Sequence, residues 1–251
     1  MKRKCLLLLW LLVLSAVGQS ALAQTPAGQT APDMAHESHH RLLFENSQVR
    51  VFSLKLGYNE SEFTCHDHAF LLVTLEDCQP AMWLEDQSPI VPGRLKQGDV
   101  NFVSGLWTRG MRNDQKSMCR FVVVEFLDLR ATMNAGTGYA GTAGPSVDPA
   151  AKVDAAAQSI ATVPLGASYV TTAYLPHGES IPARPKDIGE LVIPITGLDL
   201  KAEDDRHIRK SAGEVEWIEA GSGSAWESAG SAPARFVLVR FLPDDSPGSG
   251  K

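Results

Sequence analysis

Histidine and cysteine give this chain most of its chemical reach, and their spacing limits what they can do. His66 and His68 are one residue apart. On an extended strand both imidazoles would leave the same face, where they suit a divalent transition metal. His36, His39 and His40 form a second cluster; it could hold a metal ion, although histidines grouped in a polar segment are more often a solvated surface. Cys5, Cys65, Cys78 and Cys119 are the four cysteines. None lies in a C-x-x-C arrangement, which excludes a thioredoxin-like motif and a zinc knuckle. The chain also lacks a G-x-S-x-G elbow, an H-E-x-x-H helix and a phosphate-cradling glycine loop before a helix. A formal net charge of −6 offers no basic footprint, so nucleic acid is excluded as a partner.

The elements that must position these side chains are short strands. Hydrophobic residues make up 44% and charged residues 21% of the 251, a composition suited to two modest globular domains. Lys2, Arg3 and Lys4 precede an apolar run from Cys5 to Val17, and Ala21-Leu22-Ala23 has a signal peptidase's small-x-small pattern. Residues 1–23 therefore read as a cleaved signal peptide. A spanning helix needs about 20 apolar residues, and Ser15, Gly18, Gln19 and Ser20 interrupt the run first. The mature chain is expected to be periplasmic or secreted, without stable membrane insertion, and in such a compartment two of its three cysteines can pair.

Residues 24–38 have little to bury and read as a disordered arm. From Val49 the pattern has period two: Phe52, Leu54 and Leu56 alternate with Ser53 and Lys55. Further apolar runs at Phe70–Leu75, Ala81–Leu84, Val100–Val103 and Phe121–Leu127, separated by Gly, Pro, Asp and Asn, predict an all-β sandwich or barrel. Residues 131–159 are an Ala, Gly and Thr linker, and residues 244–251 a flexible tail. Beyond the linker the pattern recurs. Arg120-Phe121-Val122-Val123-Val124-Glu125-Phe126-Leu127 is echoed by Arg235-Phe236-Val237-Leu238-Val239-Arg240-Phe241-Leu242, and at the same offset Gly98-Asp99-Val100 by Gly213-Glu214-Val215. Two matches at one offset mark a duplication, with units at 39–130 and 160–243.

Each unit resembles a cupin, and the chain as a whole a bicupin. The resemblance implies two tandem jelly-roll β-barrels, each holding one divalent metal through three histidines and a glutamate from two motifs. In unit one the second motif runs from Gly98 to Asn113, with Arg109 in place of its histidine. In unit two it begins at Gly213, with Ser224 and Ser228 in the His and Asn positions. Two registers of the first motif compete in unit one. Read directly, His66-Asp67-His68 is the metal-binding pair, and Leu72 or Val73 stands for the glutamate. Aligned on the repeat, Asp67 matches Asp187, Thr64 and His66 match Arg184 and Lys186, and the glutamate position holds Phe70 in one unit and Glu190 in the other. One divalent transition metal on His66 and His68 is conceivable in the first barrel, and none is expected in the second.

The departures suggest another use of the same pocket. Arg109, and Arg184 with Lys186 beside Glu190, put positive charge where the family puts a metal, and could hold a small anionic molecule by charge-assisted hydrogen bonds. Trp107 and Trp226 could wall such a pocket, although tryptophans there are more often core. The alternative is that these side chains pair with carboxylates such as Glu62 or Glu190. Jelly-roll strand order further implies that Cys78 and Cys119 meet in a disulfide. The expected protein is thus an exported bicupin with dismantled metal sites, binding a small molecule or serving as an interaction module, with a homodimer conceivable. The alternative function is a metal-dependent oxygenase or isomerase using the first barrel.

Overall fold

Strands buried on both faces organise this protein. A computed structural model describes residues 31–91, 93–105, 107–127, 159–165, 168–183, 185, 187–221 and 223–242. The expected leader and tail, residues 24–30 of the arm and nearly all of the linker lie outside these residues. The first unit contributes β1 (His40–Glu45), β2 (Val49–Leu56), β3 (Ser61–His66), β4 (Phe70–Thr74), β5 (Ala81–Leu84), β6 (Val100–Val103), β7 (Trp107–Arg112) and β8 (Cys119–Phe126). The second contributes β9 (Ser159–Leu165), β10 (Ser168–Leu175), β11 (Ser180–Ile181), β12 (Gly189–Pro194), β13 (Leu198–Ala202), β14 (His207–Lys210), β15 (Glu216–Ile218), β16 (Trp226–Ser228) and β17 (Ala234–Phe241). The described residues are all-β, and none of their helices could cross a membrane.

Each unit is a jelly roll of one large and one small antiparallel sheet. In the first, β1-β2-β8-β4-β6 faces β3-β7-β5; in the second, β15-β12-β17-β10-β9 faces β11-β16-β13-β14. The period of two gives each large sheet two apolar faces. Phe70, Leu72, Phe121 and Val123 point into the first barrel with Phe52 and Leu54, and Val192, Phe236 and Leu238 point into the second. Their neighbours Leu71, Val73, Val122, Val124, Leu191, Ile193, Val237 and Val239 meet in a single core between the two units. Burying each such side chain is worth about 1.5–3 kcal/mol, so this seam holds the barrels together as firmly as each barrel holds itself.

The seam follows a two-fold relation. Phe126 and Phe241, equivalent residues of the repeat, pack against each other with ring centroids 6.1 Å apart. A Cβ on Gly213 would lie 2.5 Å from Leu75 of the first unit, and one on Gly98 would lie 3.8 Å from Ile195 of the second. Each contact is thus repeated with the partners exchanged, as at an isologous dimer interface. Both glycines have positive φ, 93° and 80°, which explains why the motif begins on glycine. The main-chain bonds repeat too: Gly98 N–H donates to Thr74 at 2.8 Å and Gly213 N–H to Pro194 at 2.9 Å. The cross-strand pairs Phe70–Glu125 and Glu190–Arg240 have the same offsets. The register set by the repeat therefore holds, and the direct one does not.

The structure differs from expectation over residues 31–38. Instead of a disordered arm they form a strap on the first barrel: the Cys65 N–H donates to the Pro32 carbonyl at 2.9 Å, and Met34, 1% exposed, sits in the barrel's core. One buried methionine is too faint a signal to read in a polar stretch. Cys78 and Cys119 do meet, both fully buried, and are present as thiols that hydrogen-bond each other. That bond and burial push the Cys78 thiol up, whereas the same bond, with the Gln79 N–H, holds Cys119 down. Cys65 stands apart, its sulfur 3.7 Å from Asp67 Oδ1.

Two outcomes are expected. Gly213→Ala should destabilise the protein by about 2–3 kcal/mol, from a disfavoured φ and a clash with Leu75. Gly178→Ala, with φ also 80° but open space around it, should cost about 1 kcal/mol; equal losses in urea titrations would refute the seam's tightness. Protein isolated from an oxidising compartment should yield a Cys78–Cys119 peptide under non-reducing mass spectrometry, and its reduction should cost on the order of 3 kcal/mol.

Candidate functional site

Alternation along β3 turns Glu62, Thr64 and His66 into the first barrel and leaves Phe63 and Cys65 on the other face. All three inward side chains are buried and form one chain of hydrogen bonds. The Thr64 hydroxyl donates to Glu62 Oε2 at 2.7 Å, and Thr64 Oγ1 lies 2.9 Å from His66 Nε2. With the hydroxyl hydrogen given to Glu62, Nε2 must carry the imidazole hydrogen and donate it to Thr64. His66 Nδ1 is then an acceptor. Neither it nor Glu62 Oε1 has a hydrogen-bond partner among the described residues, and both are buried. Two such atoms in one cluster are buried polar groups that no described residue satisfies, the kind that an ordered water or a ligand can pair with.

β7 pairs with β3 so that Arg109 lies opposite Thr64, bringing its side chain inward. Its guanidinium carbon is 4.6 Å above the Phe70 ring, and the His66 ring stacks on the same phenyl at 4.4 Å and 23°. Phe70 therefore serves as the floor for both groups, a cation–π contact on one hand and a ring stack on the other. Burial pushes the Glu62 carboxyl up, opposed by the nearby Arg109 charge and the bond from Thr64. Burial also drives His66 well below the usual imidazole value, with Arg109 and His40 acting the same way, so it is neutral at ordinary pH.

Of the other residues singled out from sequence, His68 does not join His66. It lies past the end of β3, with Nδ1 3.3 Å from Glu125 Oε1, while Arg50 takes Glu125 Oε2 at 2.7 Å. Trp107 is at the barrel mouth, 48% exposed, with Nε1–H donating to Ser104 at 3.2 Å. Trp226 is core of the second barrel, covered by Arg206 at 5.5 Å. Arg184 and Lys186 lie outside the described residues. Glu190 is buried and accepts from Arg240 Nε at 2.8 Å. Asn113 ends the second motif in a structural role: its amide donates to the carbonyls of Leu56 and Ser117, and its Oδ1 accepts from the Gln115 N–H.

The histidines near the start of the chain hold the strap. Glu37 receives His39 Nδ1 at 2.8 Å on one oxygen and His40 Nδ1 at 2.9 Å on the other, and His36 pairs with Asp33. Burial would raise the Glu37 carboxyl, but the bonds from His40 and His39 outweigh it and hold it at about 2.

Neither a family model nor a curated protein sequence matches this chain. Solved structures do. AerE from Microcystis aeruginosa is 11% identical at a TM-score of 0.53, over 81% of this chain and 97% of that one. A cupin 2 conserved barrel domain protein from Leptotrichia buccalis is 10% identical at 0.52, over 86% and 92%. Salicylate 1,2-dioxygenase from Pseudaminobacter salicylatoxidans is 11% identical at 0.52, over 78% and 71%. At such identities the likeness speaks for the fold, and the fold is that of the cupins.

The residues present do not fit the metal that the resemblance implies. The four ligand positions of the first barrel hold Thr64, His66, Phe70 and Arg109: one imidazole, one hydroxyl, a phenyl ring and a guanidinium that cannot coordinate. In the second barrel the glutamate position is committed to Arg240. Among the described residues no group of three or more His, Cys, Asp or Glu is arranged for a metal ion. The sequence reading passed over Thr64 and Phe70 as mere frame positions and weighed Glu62 only as a counter-charge. The signal that would have joined them was period two: Glu62, Thr64 and His66 alternate on the strand that faces Arg109.

The strap should respond to acid through Glu37. Its folded value of about 2 lies below the ordinary 4.5, so the unfolded chain binds that proton more readily. The stabilisation is fully present above about pH 4.5 and lost as pH falls towards 2. Wild type should therefore be more stable than Glu37→Gln at pH 5 and lose that advantage near pH 2; a constant difference in urea titrations would disprove the role.

Proposed function

We propose that this chain is an exported, non-catalytic protein of cupin fold that binds a small anionic molecule, a carboxylate, in its first barrel. The observation carrying this reading is the Arg109 guanidinium, buried over Phe70 at 4.6 Å on the position of a metal-binding histidine. A guanidinium presents a planar fork of N–H donors that matches a carboxylate. The buried site around it excludes competing water, which strengthens the charge-assisted bonds. His66 Nδ1, buried and without a hydrogen-bond partner among the described residues, is a further polar atom of the same cluster, and Trp107 offers an apolar wall at the mouth. In the second barrel Glu190 and Arg240 neutralise each other, so that barrel is the structural partner in the seam. Export rests on the leader read from residues 1–23.

Thermal unfolding tests the reading against a panel of small carboxylates. One or more should raise the melting temperature of the wild type and leave Arg109→Met unmoved. Elemental analysis tests the competing oxygenase or isomerase reading, to which the salicylate 1,2-dioxygenase likeness is relevant. About one equivalent of a transition metal, lost in His66→Ala, would replace the present reading with that one.

A further inference from the structure

The Glu62–Thr64–His66 chain can be hydrogen-bonded in two directions without moving a heavy atom. In one, Glu62 is ionised, the Thr64 hydroxyl points to it, and His66 carries its hydrogen on Nε2, leaving Nδ1 as an acceptor. In the other, Glu62 is protonated on Oε2 and donates to Thr64. The threonine hydroxyl then donates to His66 Nε2, and Nδ1 carries the hydrogen. The first arrangement satisfies every donor within the chain; the second satisfies the two hydroxyls and leaves the Nδ1 N–H for a ligand. They differ by one proton, and they present opposite hydrogen-bonding character at Nδ1, the end of the chain without a hydrogen-bond partner among the described residues.

A carboxylate on Arg109 needs the second arrangement. It carries acceptors only, so an acceptor lone pair at Nδ1 would repel it and an N–H would bind it. It also adds a negative charge to a buried site where Arg109 already has Glu62 nearby, and protonating Glu62 removes the excess. We propose that a small monocarboxylate enters this barrel together with one proton, which comes to rest on Glu62 through the Thr64 hydroxyl and turns His66 Nδ1 from an acceptor into a donor to the ligand.

The transfer balances. A proton arriving at Nδ1 displaces the Nε2 proton to Thr64, and Thr64 passes its own to Glu62 Oε2. One N–H bond forms at Nδ1 and one O–H bond at Glu62, while His66 ends neutral in its other tautomer. A dianion such as phosphate would leave a charge that one guanidinium and one proton do not cancel, so the site favours monoanions. The titratable and charged groups facing Glu62 are Arg109 from β7, His40 from β1, Glu37 from the strap, and His66 beyond Thr64 on its own strand. Glu37 is kept ionised by His39 and His40, and His66 stays neutral, so Glu62 is the group that takes the proton. Its upward displacement by burial acts in the same direction.

This inference rests on the carboxylate-binding reading, and calorimetry on the full-length mature protein with benzoate and propionate as probes separates the two. Titrations in buffers of different ionisation enthalpy should show uptake approaching one proton per site. Affinity should rise by up to about tenfold for each pH unit lowered while Glu62 is ionised in the free protein. Glu62→Gln mimics the protonated acid: it should bind independently of pH and, at pH 8, on the order of tenfold or more tightly than wild type. Nitrogen-15 spectra should show the His66 hydrogen moving from Nε2 to Nδ1 on binding, and Thr64→Val should abolish that tautomer change. Binding without proton uptake, at an affinity indifferent to pH, would overturn the coupling and leave the carboxylate site standing. No binding of either probe between pH 5 and 8 would overturn both. If Glu62→Gln does not fold, the wild-type calorimetry alone decides.

Discussion

The constraint on which the rest depends is that both large sheets are apolar on both faces. A strand with one wet face can slip by two residues at modest cost, and a slip of one would turn its apolar side chains out. β4, β8, β12 and β17 have no wet face to offer: one side fills a barrel and the other fills the seam. The direction of every side chain on them is thereby fixed. That is why Phe70 and Glu125 look into the first barrel as a cross-strand pair, and Glu190 and Arg240 into the second. The glycines at the start of the second motif serve the same constraint: a Cβ on Gly213 would strike Leu75 across the seam at 2.5 Å, and one on Gly98 would press on Arg235 at 3.0 Å.

Much of this was legible in the sequence. The duplication, the all-β class and the positions of most strands follow from period two and from two matches at one offset, because those patterns record burial directly. The repeat also carried the correct register, since Asp67 matched to Asp187 puts Phe70 and Glu190 on equivalent sites, as the main-chain bonds of both units bear out. What could not be read was the company each polar residue keeps. Nothing in the local sequence says that Arg240 is bonded to Glu190, since that pair joins residues far apart in the chain. Likewise His68, the second histidine of an apparent metal motif, turns to Glu125 because the strand has already ended at His66. The strap escaped notice because a single methionine gives no period.

The two barrels answer one electrostatic problem differently. Each buries a carboxylate and a guanidinium in the same sheet, Glu125 with Arg50 in the first and Glu190 with Arg240 in the second. Close, charge-assisted bonds offset part of the desolvation that such groups suffer. The first barrel carries a second set of ionisable groups on its small sheet, and there the arithmetic is left open. Glu62, Thr64 and His66 spend one hydroxyl hydrogen between two acceptors and leave Nδ1 and Oε1 without partners among the described residues.

Replacing a metal by Arg109 changes what the pocket can be used for. A metal site demands several convergent lone pairs, and losing two of them removes its affinity. A guanidinium over a phenyl ring needs no lone pairs and instead supplies donors, so under the proposed reading the site would bind acceptors through a cation rather than cations through acceptors. His66 survives that inversion because imidazole is the one side chain that can serve either role by moving a hydrogen between its two nitrogens. Thr64 lets it do so without leaving its stack on Phe70, since a hydroxyl both accepts and donates along the same line. In the proposed site the polarity would be set by which way one buried hydrogen-bond chain runs, with Glu62 at its far end holding the proton that reverses it.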